Sequence, residues 1–129
     1  MGGQLILIRH GIAEERTPEG DDFYRKLTEA GVEEMTAFLP DIAPLLTEDG
    51  NLKIWTSPLL RARETAELVA EATAVEEIQP QEFLATGDFV AFMDALKQED
   101  DGFNLALVGH ESYMSSWTKE LIGAEIKKK

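Results

Sequence analysis

The chain has two histidines, and each closes a short apolar run. Leu5-Ile6-Leu7-Ile8 leads into Arg9-His10-Gly11, and Leu105-Ala106-Leu107-Val108 leads into Gly109-His110. A third run, 52–56, ends in Ser57-Pro58, with Arg61 one helical turn further on. A neutral imidazole is a nucleophile, and an arginine fork grips the oxygens of a phosphoryl group in two places. Arg9, His10, Arg61 and His110 are therefore suited to phosphoryl transfer. His10 would attack phosphorus in line while Arg9, Arg61 and protonated His110 hold the equatorial oxygens, and water would hydrolyse the phosphohistidine so formed. Gathered positive charge should lower the His10 pKa unless a hydrogen bond opposes it. Positioning and charge stabilisation suffice for this reaction, so neither a metal nor another cofactor is expected.

Other chemistries fit less well. Ser57 and Ser112 lie outside any Gly-x-Ser-x-Gly elbow, which argues against a hydroxyl nucleophile. Two histidines without cysteine and without His-x-x-x-His spacing do not make a structural zinc site. Arg63 reads as a solvated helix arginine, and Phe38, Phe92, Met93, Met114 and Trp117 follow helical spacing and belong to the core.

These residues work only if the elements around them converge. Continuous apolar runs such as 5–8 and 104–108 are the mark of strands buried on both faces of a parallel sheet. Residues 12 to 27 read as a polar loop, whose Glu14, Glu15, Asp21 and Asp22 cannot be ranked. Thr28 is a plausible N-cap for a helix carrying Val32, Met35 and Leu39, interrupted at Pro40. A strand at 52–56 is followed by Ser57 as N-cap and Pro58 as first helical residue. In that helix Leu59, Ala62, Ala66 and Val69 face inward, and Arg63, Glu67 and Glu71 outward. A weaker strand lies near Val75 to Gln79, and Asp88 caps a helix bearing Phe89, Phe92, Met93 and Leu96. A last helix from about Glu111 buries Met114, Trp117 and Leu121. The alternation predicts a three-layer α/β fold, a mostly parallel sheet with helices on both faces, in a single domain over 1–129. In such sheets ligands bind beyond the carboxyl ends of the strands, where the candidate residues fall.

Composition limits the partners. With 12 Lys and Arg against 25 Asp and Glu, the formal charge of -13 excludes a broad nucleic-acid or anionic-membrane surface, so any anion site must be a local pocket. No apolar run approaches a bilayer span, the first residues lack signal-peptide character, and cysteine is absent, which makes a cytoplasmic location the default.

The blocks Arg9-His10-Gly11, Ser57-Pro58-Leu59-Leu60-Arg61-Ala62-Arg63-Glu64-Thr65-Ala66 and Val108-Gly109-His110 together resemble the signatures of the histidine phosphatase superfamily, with its phosphoglycerate mutase-like fold. Arg25-Lys26-Leu27-Thr28-Glu29-Ala30-Gly31 is similar to the Arg-Pro-Leu-Thr-x-x-Gly segment of its small bacterial branch, the SixA-type phosphohistidine phosphatases, with Lys26 in place of proline. The resemblance implies His10 as nucleophile and Arg9, Arg61 and His110 as the phosphate pocket. Glu82 falls roughly where mutase-type relatives place an acidic proton donor. Relatives continue with further strands, which leaves open whether the sheet here lacks its C-terminal strands. The expected activity is hydrolysis of phosphohistidine on a phosphorylated protein. The alternatives are a phosphatase acting on small phosphate esters, and a non-catalytic phosphate- or protein-binding module.

Overall fold

The computed structural model describes residues 5–47, 51–99 and 104–123, the side chains of 121–123 excepted. Four strands, β1 (Leu5–Arg9), β2 (Leu52–Thr56), β3 (Ile78–Pro80) and β4 (Asn104–Gly109), form a sheet of order β1-β4-β2-β3 in which every pairing is parallel. Between them run α1 (Glu29–Leu46), α2 (Leu60–Thr73), α3 (Phe83–Thr86) and α4 (Phe89–Lys97), and α5 (Glu111–Gly123) follows β4. The chain leaves a vacant slot between β1 and β2, which β4 fills. With a neighbour on each side and helices above and below, β4 is buried along its whole length, and this is why its sequence is a continuous apolar run.

Side chains alternate between the two faces of each strand. On one face Ile8, Ile54, Ala106 and Val108 pack with Met35, Leu39 and Leu46 of α1 and with Ala62, Ala66 and Val69 of α2. On the other, Trp55, Leu105 and Leu107 meet Phe83, Leu84, Phe92, Tyr113, Met114 and Trp117 from α3, α4 and α5. The expected sheet with helices on both faces is thus observed. Leu121 and any strand after residue 123 lie outside the described side chains and residues.

Several local expectations need correction. Helix α1 does not stop at Pro40 but runs through both Pro40 and Pro44. Each proline removes a helical N–H, but both are exposed, while buried Leu39 and Leu46 hold the helix to the sheet. Val32, expected inside, is exposed. Ser57 does not cap α2, which begins at Leu60; its hydroxyl accepts from the Leu59 amide and turns toward His110 instead. Strand β3 lies slightly later than expected, and α3 was not foreseen. Thr28 and Asp88 do cap their helices, accepting from the amides of Gly31 and Ala91.

Candidate active site

Because the sheet is wholly parallel, β1, β4 and β2 end side by side on one edge. The register pairs Arg9 with Gly109 and Thr56 with Val108. Beyond the strands the ladder continues: the His10 amide donates to the Gly109 carbonyl at 3.1 Å, and the Ser57 amide to the Val108 carbonyl at 2.9 Å. These bonds place His10 beside His110, their ring centroids 5.1 Å apart and their planes inclined at 64°.

His10 is half-buried, and its Nδ1 lies 2.7 Å from the Gly11 carbonyl oxygen. A carbonyl only accepts, so Nδ1 carries the proton and the Nε2 lone pair is left free in the neutral ring. Burial lowers the His10 pKa below its ordinary value; the Gly11 carbonyl opposes this, while Arg61, Arg9 and Arg25 add to the lowering. The direction matches the expectation, but desolvation rather than neighbouring charge is the main cause.

His110 is buried, with Nε2 2.8 Å from the hydroxyl of fully buried Ser57. Its amide donates to the Tyr113 hydroxyl at 3.3 Å, and that hydroxyl donates to the Leu84 carbonyl. Gly109 is required here, because a Cβ at that position would collide with the Tyr113 hydroxyl. Desolvation, with the nearby His10 and Arg61, lowers the His110 pKa to about 4. The imidazole is therefore neutral at pH 7, because a buried imidazolium beside cations is costly; the protonated His110 expected from the sequence is the form that would hold a phosphoryl group.

Arg61, in the first turn of α2, is buried. Its Nη1 donates to the Asp22 carbonyl at 2.9 Å and its Nη2 to Asp22 Oδ2 at 3.3 Å, whereas its buried Nε–H has no acceptor. The loop 12–27 is held against α2 by two further bonds, Gly11 N–H to Thr65 Oγ1 at 3.1 Å and Leu27 N–H to Glu64 Oε1 at 2.7 Å. Thr65 in turn donates to the Arg61 carbonyl at 2.9 Å, which links the nucleophile's turn to the helix that carries Arg61.

A cleft of about 430 Å³ opens beside His10, lined by Arg9, His10, Arg25, Glu34 and Glu111 among others. Arg9 is exposed, with Nη1 3.8 Å from Glu111 Oε1. Arg25, not singled out from the sequence, borders His10 in this cleft and binds Asp22 Oδ1 through Nε at 2.8 Å. Arg9, His10, Arg61 and His110 are thus brought together, while Glu82 follows β3, the strand at the opposite edge of the sheet from β1. It is an exposed residue at the start of α3, beyond β3. Three strand spacings, about 14 Å, separate the lines of β1 and β3. Among the described residues no three His, Asp or Glu side chains are placed to hold a metal ion, and no helix is long and apolar enough to cross a membrane.

Comparison with known proteins gives the family and the fold. The pattern of the histidine phosphatase superfamily (branch 1) matches residues 5–92. An uncharacterized protein of Picosynechococcus sp. is 34% identical over 123 residues, spanning 92% of this chain and 72% of the relative. Among solved structures, SixA of Agrobacterium tumefaciens superposes with a TM-score of 0.76 at 24% identity, over 95% of this chain and 79% of its own. The protein histidine phosphatase SixA complexed with tungstate gives 0.75 at 24% identity, over 92% and 76%. Phosphoglycerate mutase from Plasmodium falciparum gives 0.65 at 15% identity, over 95% and 70%. At such identities the structural likenesses speak to the fold.

Proposed function

The chain belongs to the histidine phosphatase superfamily and has its phosphoglycerate mutase-like fold, and from that premise we propose that it hydrolyses phosphohistidine on a phosphorylated protein through a covalent intermediate on His10. The observation that carries this reading is the Nδ1 contact of His10 to the Gly11 carbonyl, which leaves Nε2 as a free lone pair between arginines.

In the first step the Nε2 pair attacks phosphorus, the bond to the leaving nitrogen breaks, and that nitrogen keeps the electron pair and takes a proton. Water then attacks phosphorus, the P–Nε2 bond breaks, its pair returns to His10, and inorganic phosphate leaves. Arg61, Arg9 and Arg25 oppose the charge on the phosphoryl oxygens. His110 is neutral at rest, and a phosphoryl dianion beside it raises its pKa, so it gains its proton as the substrate binds. These groups supply the charge stabilisation without a metal, so turnover should be indifferent to EDTA.

Two features favour a protein-borne substrate. The cleft is bordered by exposed Arg9 and half-buried His10, an open site suited to a group presented on a surface. A phosphoramidate also needs less help from an acid such as Glu82 than an ester does, because a protonated imidazole leaves readily. The family resemblance of Arg25-Lys26-Leu27-Thr28 to the SixA-type branch points the same way.

The test compares kcat/KM for a phosphohistidine-bearing domain with that for sugar phosphates and phosphoglycerates, in wild type and in Glu82→Gln. The expected result is preference for the phosphohistidine protein, with Glu82→Gln sparing that substrate more than the esters. Better turnover of small esters would transfer the assignment to a metabolite phosphatase. Absence of turnover on every substrate, with oxyanion binding retained, would favour a binding module.

A further inference from the structure

Asp22 lies in a single 3-10 turn, Asp22–Tyr24, inside a loop that the sequence alone leaves featureless. In the structure it is the hub of three arginines. Its Oδ1 accepts from Arg25 Nε at 2.8 Å and lies 3.4 Å from Arg16 Nη2. Its Oδ2 and its own carbonyl accept from Nη2 and Nη1 of Arg61 at 3.3 and 2.9 Å. The turn is itself fixed, because the Asp21 side chain accepts from the Phe23 amide.

A guanidinium has five N–H donors in one plane. Asp22 takes the edge formed by Nη1 and Nη2 with two acceptors, a geometry that fixes both the position and the rotation of that plane. What remains is Nε–H, buried and without a protein acceptor, and the other Nη hydrogens. A buried donor without a partner costs free energy, and a phosphoryl oxygen is the acceptor that would satisfy it. Asp22 therefore fixes the guanidinium plane and leaves its Nε–H unpartnered.

We propose that Asp22 is the positioning residue of the phosphoryl site: it sets the Arg61 guanidinium plane, and with it the neighbouring Arg25, without itself contacting the substrate. This rests on the phosphatase reading above. Burial alone would raise the Asp22 pKa, but the hydrogen bond from Arg25 and the charges of Arg61, Arg25 and Arg16 outweigh it, so the carboxylate is ionised at neutral pH. Its charge also balances part of the arginine cluster. The opposite role, a built-in competitor for phosphate, would show as a rise in kcat/KM on loss of Asp22.

The experiment is a double-mutant cycle read as kcat/KM on an activated aryl phosphate, with thermal melting as the fold control. Asp22→Ala should lower kcat/KM by tenfold or more, about the scale expected when a catalytic group is misplaced by a fraction of an ångström. In an Arg61→Ala protein the same change should cost no more than about threefold, because the main group through which Asp22 acts is gone and only its hold on Arg25 remains. Asp22→Asn keeps a side-chain acceptor oxygen and should retain more activity than Asp22→Ala; if the alanine variant does not fold, the asparagine variant carries the same comparison. Equal penalties in both backgrounds, or a kcat/KM that rises on loss of Asp22, would overturn the inference while wild-type turnover leaves the phosphatase reading standing. A wild-type protein without turnover would overturn both.

Discussion

His10 and His110 face each other at 5.1 Å because β1 and β4 are neighbours in a parallel register that pairs Arg9 with Gly109. One ring is tied through Nδ1 to a backbone carbonyl and the other through Nε2 to Ser57. Both lose charge to burial, so at neutral pH the pair consists of two uncharged imidazoles among arginines, a nucleophile and a latent acid.

This charge state gives a pH signature. The folded pKa of His110, about 4, lies below its unfolded value of 6.5, so the unfolded state binds more protons between the two. Its contribution is complete above pH 6.5 and is lost as pH falls through about 4, amounting to about 3 kcal/mol for a shift of this size. Denaturant titrations from pH 7 to 4 should show this loss, and a His110→Gln protein should show a flatter dependence. For activity, the lowered pKa of His10 keeps the nucleophile neutral, so kcat/KM should fall on the acid side only below 6.5.

Arg61→Lys should reduce kcat/KM by about a hundredfold, because lysine retains the charge but loses the planar fork that binds Asp22 on one edge and leaves Nε–H for the phosphoryl group. Steady-state kinetics on the purified variant is the check, and a change within a few fold would remove Arg61 from the phosphoryl site.

Ser57→Ala should lower kcat/KM by about tenfold and cost about 1–3 kcal/mol of stability, since it removes the buried hydroxyl partner of His110 Nε2 and of the Leu59 amide. Ser57→Thr, which restores a hydroxyl, should recover part of the loss. Equal loss in both variants would mean that the hydroxyl does not act through His110.

The strand ends were legible in the sequence because a doubly covered parallel strand must be a continuous apolar run, and such a run stops where the polar edge begins. Arg9-His10, Ser57 and Gly109-His110 were therefore locatable, and their neighbourhood followed from parallel topology. Asp22 was not legible. Its partners Arg61 and Arg25 are 39 and 3 residues away, and only the folded course of the loop over α2 joins the first to it. Arg25 was visible within a family-like segment, but no local pattern tells a cleft arginine from a solvated one. The lowered pKa of His110 was not legible either, because it follows from burial, which a sequence shows poorly. Pro40 misled for a related reason: helix continuation was decided by the packing of Leu39 and Leu46, not by propensity.

The claim on which the account turns is that the free Nε2 of His10 carries the phosphoryl group between the two steps. Rapid denaturation during turnover of a phosphorus-labelled substrate, followed by peptide mapping, tests it directly. The predicted result is a label on His10, lost in acid and retained in base, and absent together with all turnover in a His10→Ala protein that still folds. Turnover without a labelled His10 peptide, or turnover in His10→Ala within a few fold of wild type, would contradict it.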